Sequence, residues 1–136
     1  MTLRNMLAYI KTFGLFENYS ASKIDASKEK TLGLYVRNST EPRVQGIGQD
    51  SSYLINHYTA LVHWSKYGYE TQDAAQRLYD ALLNITDTDT GTSYIDYIDM
   101  LYGEPMAIGT DANDIYEYVI DFDVYSRRNY NNGNNI

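Results

Sequence analysis

The chain has 136 residues, of which 43% are hydrophobic and 14% aromatic, and its formal net charge is −7. This length fits one compact domain, and this composition excludes wholesale disorder. The sequence contains no cysteine, which excludes disulfides and thiolate metal sites. Tyrosine is unusually common, with 15 residues, and its apolar ring and hydroxyl group suit adaptable contact surfaces.

The N-terminal residues predict an amphipathic helix. Thr2 can cap its first turn, and Gly14 can end it. Its apolar side chains recur at helical spacing, at Leu3, Met6, Leu7 and Ile10. Arg4 and Lys11 interrupt this apolar pattern and no small-residue cleavage site follows, so we expect no secretory signal. The longest apolar runs are only a few residues, so we expect no membrane span. Residues 16–30 are polar, mixed in charge and without a clean period, which predicts a long loop.

Alternating residues predict strands in the middle of the chain. Residues 32–36 form a short strand, and a turn containing Pro42 leads to a possible hairpin partner at residues 44–47. Residues 52–66 form a long strand with two partly apolar faces. We therefore expect its second face to meet another element or another subunit.

A second amphipathic helix follows the long strand. Thr71 can cap it, and Glu70 and Asp73 complement its positive end. The predicted buried stripe consists of Ala74, Ala75, Leu78, Tyr79 and Leu82.

The rest of the chain predicts two further strands separated by loops. Residues 84–93 and 103–113 are turn-rich loops, and residues 94–101 alternate as a strand, with a short helix as the alternative. Residues 114–128 form the last strand. One face carries the predicted core residues Tyr116, Tyr118, Ile120, Phe122 and Val124, and the other carries Glu117, Val119, Asp121 and Asp123.

This order of elements predicts an α+β domain over residues 1–128. We expect a mostly antiparallel sheet of four to five strands with two amphipathic helices packed on one face. The Asn-rich residues 129–136 lack a core pattern and predict a flexible tail.

Charge is segregated along the chain. Residues 70–123 contain 13 acidic side chains and a single basic one, whereas residues 1–69 contain eight basic and five acidic side chains. Two interpretations stay open: an acidic surface that maintains solubility, or unlike patches that dock head to tail in a ring. The basic residues are too scattered for ordinary nucleic-acid binding, although an acidic wall could line a passage for DNA.

Candidate chemical sites are weak. Residues 87–91 resemble the start of a calcium loop, but the glycine comes one position early and position twelve is Ile98. His57 and His63 lie about 20 Å apart on one strand face, too far for a shared metal ion, and we expect them at the surface or an interface.

Asp121 and Asp123 lie about 7 Å apart, which would admit a water between two carboxylates. Glu117 continues the same row, which indicates a charged surface instead. The sequence therefore predicts no catalytic residues, no metal site and no cofactor.

Five segments resemble the bacteriophage minor capsid and tail terminator family. They are LGLYV (32–36), PRVQGIGQDSSY (42–53), ALVHWSK (60–66), ETQDAAQRLYDAL (70–82) and MAIGTDANDIYEYVIDFDVYSRR (106–128). No motif among them is catalytic, and the similarity rests on their order and spacing.

The resemblance implies a structural virion protein at the tail–neck junction, assembled in the cytoplasm of the host bacterium, and not an enzyme. Such proteins form a ring, usually sixfold, on the last ring of tail-tube protein, end tail growth and bind a neck or connector protein. Viral DNA passes through the lumen without sequence-specific binding, and no membrane is involved.

Two sets of residues follow from this implied role as hypotheses. Glu117, Asp121 and Asp123 would form an acidic face near the lumen. Contacts between subunits or stacked rings would use Arg37, Arg43, Arg127 and Arg128. Two alternatives stay open: another neck or connector completion protein of the virion, or a small acidic protein-binding module.

Overall fold

A computed structural model describes residues 1–38 and 53–127 and gives an α+β fold. Within these ranges the chain forms two helices and seven strands. In chain order they are α1 (Leu3–Lys11), β1 (Asn18–Ala21), β2 (Thr31–Val36), β3 (Tyr53–His63), α2 (Gly68–Leu83), β4 (Thr86–Asp89), β5 (Tyr94–Met100), β6 (Met106–Thr110) and β7 (Tyr116–Arg127).

The strands form one mixed sheet in the order β1-β2-β3-β7-β5-β4, and β6 pairs with β7 beside β5. In the described residues β1 and β2 are the one parallel pair, and the other pairs are antiparallel. The predicted count of four to five strands is therefore wrong. The additional strands β1, β4 and β6 have four or five residues each and lie in segments predicted as loops. Segments this short show no clear alternation, and backbone pairing to a neighbour defines them.

One hydrophobic cluster joins both helices to the sheet. Leu34, Ala60 and Ile120 lie side by side on β2, β3 and β7, and all three are buried. The cluster includes Met6, Leu7 and Ile10 of α1 and the predicted stripe of α2, which is confirmed. The helix α1 packs against β1 and β2, whereas α2 packs against β7, β3 and β5.

The two helix starts differ from each other. Thr2 caps α1 as predicted, because its Oγ1 accepts a hydrogen bond of 3.1 Å from the Asn5 backbone N–H. The predicted cap at Thr71 is wrong: α2 begins at Gly68, and the buried Thr71 donates its hydroxyl to the Tyr67 carbonyl at 3.1 Å. The apolar stripe correctly predicted the buried face of α2, but it did not predict the residue at which the helix begins.

The opposite side of β2, β3 and β7 forms what we call the polar face. It carries Tyr35, Arg37, Ile55, His57, Thr59, Leu61, His63, Glu117, Val119, Asp121, Asp123 and Tyr125. The loop of residues 22–30 crosses one end of this face, so that a Cβ on Gly33 would lie 2.5 Å from Ile24 Cγ2. Part of the second sheet face is therefore covered by the chain itself.

The structure tests two further expectations, one about the core and one about membrane spans. Tyr116 was predicted in the core, but it is 38% exposed, because it lies at the first residue of β7, beyond the buried row. Neither described helix has the length and apolar character needed to cross a membrane. The possible hairpin partner at 44–47, the residues Arg43 and Arg128, and the predicted tail at 129–136 lie outside the described residues.

Candidate functional site

Charged residues from three strands meet on the polar face. Arg37 follows β2, and its Nη2 lies 2.5 Å from Asp123 Oδ1 on β7. Between them on β3, His57 Nδ1 lies 2.7 Å from the same carboxylate oxygen. Arg37 also donates from Nη1 to the Tyr58 carbonyl at 2.7 Å. The structure thus brings together one residue of the predicted arginine set and one of the predicted acidic set.

The other two residues of the acidic row also have partners on β3. Thr59 donates its hydroxyl to Asp121 Oδ1 at 2.5 Å, and His63 Nδ1 lies 2.8 Å from Glu117 Oε2. The register of β3 against β7 creates these pairs, because it sets each acidic residue directly opposite its partner. The three carboxylates share one face as predicted, but they are at most partly exposed. Their place near a lumen stays a prediction.

Arg127 lies at the far end of the same strand and is more open. Its side chain is 52% exposed, and its Nε donates to Asp96 Oδ1 on β5 at 3.2 Å. Its guanidinium also stacks over the Tyr94 ring at 3.9 Å from the ring centroid. Arg127 therefore retains surface for a contact with another molecule, whereas Arg37 is largely engaged within the chain.

His63 is the residue that the sequence interpretation misjudged most. It was predicted at the surface or an interface, but it is fully buried at the end of β3. Its Nε2 lies 3.0 Å from the Ala26 carbonyl, and its Nδ1 faces Glu117 and, at 3.6 Å, Asp111 Oδ2. Together, His63, Asp111 and Glu117 form a group that could hold a metal ion. The sequence pattern did not reveal this because it does not contain the register of β3 against β7, which sets His63 opposite Glu117.

Tyrosines cluster at both ends of β7. At its beginning, the ring of Tyr116 lies beside Gly68, and Tyr67 and Tyr69 are 59% and 68% exposed. We call Tyr67, Tyr69 and Tyr116 the first tyrosine cluster. Tyr116 and Tyr125 are nine positions apart on one strand, which corresponds to about 30 Å. The first cluster is therefore well separated from aromatic residues near Tyr125.

The second tyrosine cluster consists of Tyr53, Tyr97 and Tyr125. The rings of Tyr97 and Tyr125 stack at a centroid distance of 4.4 Å and an angle of 12°, and the ring of Tyr53 lies 5.7 Å from that of Tyr125. Burial, followed by the neighbouring Tyr97, raises the pKa of Tyr125 to about 12. Tyr97 is 45% exposed, so the stack has an open edge available for contact.

Comparison with known proteins does not identify a family. No family model matches the sequence, and none of the curated proteins matches it. The class of protein must therefore be inferred from the geometry and from the sequence resemblance.

Proposed function

We propose that this protein is a structural subunit of a bacteriophage tail terminator ring. In this role, several copies, usually six, close into a ring on the last ring of tail-tube protein. The ring ends tail growth and offers the surface to which the neck attaches, and DNA passes through its lumen. The α+β fold would then be a tail-terminator-like architecture, located in the virion at the tail–neck junction.

The observation that carries this proposal is the pair of tyrosine clusters at opposite ends of β7. A ring subunit between tube and neck must contact different neighbours on separate surfaces. Tyrosine is enriched at the core of protein interfaces, because its ring buries a large apolar area while its hydroxyl keeps a polar partner. Tyr69 and Tyr97, one from each cluster, are 68% and 45% exposed in the single chain.

The distribution of charge supports docking between unlike surfaces. The sheet order sets β1, β2 and β3 on one side and β7, β5 and β4 on the other. Residues 84–104, which include β4 and β5, contain five acidic side chains and no basic one, whereas residues 1–38 contain six basic and three acidic side chains. Opposite charges on different surfaces favour head-to-tail association of identical copies.

The acidic residues also suit a passage for DNA. Asp121 and Glu117 are partly exposed, and Asp99 on β5 lies opposite Asp123 and is exposed. We propose that these carboxylates contribute to the lumen wall, where negative charge would keep the DNA backbone from binding tightly. Asp123 itself is 8% exposed, so it would act mainly by holding Arg37 in position.

The test is the mass of the native assembly. We expect native mass spectrometry and sedimentation to detect a closed ring, either for the chain alone or after mixing with finished tail tubes. Salt at about 1 M, where screening acts within about 3 Å, should weaken the assembly. Lone protomers, both for the chain alone and after mixing with finished tail tubes, would refute the proposal. Binding to the portal side without binding to tubes would indicate a neck completion protein, and a protein that stays monomeric while binding another target would indicate the acidic module.

A further inference from the structure

The hydrogen-bond partners of the two His63 ring nitrogens define an unusual site at one end of the polar face. The Ala26 carbonyl can only accept a hydrogen bond, so Nε2 of His63 must carry a hydrogen and donate it at 3.0 Å. In the neutral ring, Nδ1 then presents a lone pair to Glu117 Oε2 at 2.8 Å. Two lone pairs at that distance repel each other, so a positive species must lie between these atoms. That species is either a proton, carried by Nδ1 or by the Glu117 carboxyl group, or a metal ion.

Asp111 distinguishes between these two possibilities. Its Oδ1 accepts hydrogen bonds from the backbone N–H groups of Asn113 and Ile115, at 2.9 and 3.0 Å. Its Oδ2 is buried, and within the described residues no hydrogen-bond donor reaches it. A proton shared by His63 and Glu117 would satisfy that pair, but it would leave Asp111 Oδ2, 3.6 Å from Nδ1, without a hydrogen bond from the described residues. A metal ion bound by all three side chains would satisfy every one of these atoms.

The spacing of the three side chains fits a small cation. Their ligand atoms all lie within 4.8 Å of one another. Ligands about 2.1 Å from a tetrahedral or octahedral ion are separated by about 3.0–3.4 Å. The distances of 2.8 and 3.6 Å from Nδ1 to the two carboxylates lie on either side of that range, so each of these two distances needs to change by only a fraction of an ångström.

We propose that His63, Asp111 and Glu117 bind one first-row divalent metal ion, with Zn²⁺ as the best-matched ion. Zn²⁺ binds both imidazole nitrogen and carboxylate oxygen, whereas Mg²⁺ and Ca²⁺ prefer oxygen ligands alone. The Ala26 carbonyl accepts a hydrogen bond from Nε2 and so fixes the orientation of the ring. Metal-binding histidines usually donate their second ring nitrogen in this way. Both carboxylate side chains are 16% exposed, which gives an ion a path to the buried histidine.

The metal ion would join parts of the chain that are distant in sequence. His63 ends β3, Glu117 lies at the start of β7, and Asp111 belongs to the turn before that strand. Asn113 Nδ2 donates to the same Ala26 carbonyl at 3.2 Å, so the loop of residues 22–30 is connected to the site as well. The site shares Glu117 with the proposed lumen wall, but metal binding by the single chain does not require a ring.

The experiment measures Zn²⁺ binding to the intact chain by isothermal titration calorimetry and thermal unfolding, with Mg²⁺ as the comparison ion. We expect one Zn²⁺ per chain, and a melting temperature raised by about 5–10 °C at about 100 times the Kd. Asp111→Asn and Glu117→Gln keep the side-chain shapes and should weaken Zn²⁺ binding at least about tenfold. The matched control is Asp114→Asn, which removes an exposed charge from the same turn and should leave the affinity unchanged.

The histidine itself provides a direct readout that does not depend on any variant. The chain has two histidines, so NMR correlation of the ring nitrogens resolves them. Zn²⁺ should shift Nδ1 of His63 and leave His57 unchanged. The proposal is overturned if no saturable binding occurs, if Asp114→Asn weakens binding as much as Asp111→Asn does, or if Nδ1 of His63 carries a proton and does not respond to Zn²⁺.

Discussion

Arg37 and Asp123 form an ion pair across the width of β3, with a distance of 2.5 Å between Nη2 and Oδ1. Their side chains are only 26% and 12% exposed, so water screens this pair less than it would at the surface. The two residues are 86 positions apart in the sequence. The pair therefore links the end of β2 to the last described strand and fixes the position of both side chains.

We predict that Arg37 and Asp123 are energetically coupled. Asp123→Asn would leave a largely buried guanidinium without its counter-charge, and should lower the free energy of unfolding by about 1–3 kcal/mol. Arg37→Met should cost a similar amount. In the double variant the two losses should not add, and the coupling energy from urea unfolding should be about 1–2 kcal/mol.

Arg127 and Asp96 provide the matched control for this cycle. Their atoms lie 3.2 Å apart, but the side chains are 52% and 32% exposed, so the coupling energy should be below about 1 kcal/mol. Equal coupling energies in the two pairs would contradict the role of burial. Coupling of Arg37 to Asp123 that disappears at about 1 M salt would place that pair at the surface.

The second prediction concerns pH. Burial raises the pKa of Tyr58 to about 12, and the side chain is 1% exposed. Above pH 10 the unfolded chain releases this proton, whereas the folded chain keeps it until about pH 12. The stabilising contribution is therefore complete below pH 10 and is lost as pH rises toward 12. Its size is about 2–3 kcal/mol, because one pKa unit corresponds to about 1.4 kcal/mol.

The variant Tyr58→Phe isolates this effect. At pH 7 it should be about 1 kcal/mol less stable than the wild-type protein, because the Tyr58 hydroxyl donates to the Met1 carbonyl at 3.2 Å. The difference should shrink and reverse in sign between pH 10 and pH 12, as measured by urea unfolding. Tyr69→Phe, at a side chain that is 68% exposed, should give a curve parallel to the wild type. Parallel curves for both variants would contradict the prediction.

The third prediction tests the loop that crosses the polar face. Gly33→Ala would add a Cβ that lies 2.5 Å from Ile24 Cγ2, and this methyl group is attached directly to the Ile24 Cβ and cannot swing far away. The substitution should cost about 1–3 kcal/mol in chemical unfolding. Adding Ile24→Ala should recover part of that loss. Gly103→Ala is the control, because its Cβ would meet nothing within 4 Å. A neutral Gly33→Ala would mean that the loop does not pack as described.

The fourth prediction concerns assembly and depends on the proposed function. If both tyrosine clusters are contact surfaces, the pair Tyr67→Ser and Tyr69→Ser should impair one set of contacts, and Tyr97→Ser should impair the other. We expect each change to lower ring or tube association by tenfold or more, because interface tyrosines commonly contribute over about 1.4 kcal/mol. Sedimentation with and without tail tubes measures both effects.

Tyr102→Ser is the control for the assembly prediction. Tyr102 is 51% exposed and lies in neither cluster, so its loss should not change association. Equal effects in all three variants would indicate non-specific adhesion of tyrosine. Unchanged association in every variant would remove the main support for the proposed ring.

Long periodic segments allowed much of the fold to be predicted from the sequence. The residues of β3 and β7 alternate over 11 and 12 positions, so their faces could be assigned correctly. The stripe of α2 was predicted for the same reason. By contrast, β4 has the sequence TDTD and is defined only by its pairing with β5. A strand without an apolar face has no signal in a single sequence.

The candidate site depends on register, which the sequence does not contain. Glu117, Asp121 and Asp123 were recognised as one row, but their partners on β3 were not. A shift of two residues between β3 and β7 would keep every apolar face and would pair each carboxylate with a different side chain. The position of His63 beside Asp111 also requires the turn before β7. Both relationships are tertiary and could not be read from composition or periodicity.

The location of β7 has a consequence for synthesis. It is the last described strand in the chain, yet it lies between β3 and β5 and also pairs with β6. Until residues 116–127 have left the ribosome, β3 and β5 have no strand between them, and the apolar residues of earlier segments lack most of their partners. Nascent chains would therefore remain incompletely folded until this strand has been made, and during that time they would expose apolar surface that the finished sheet buries.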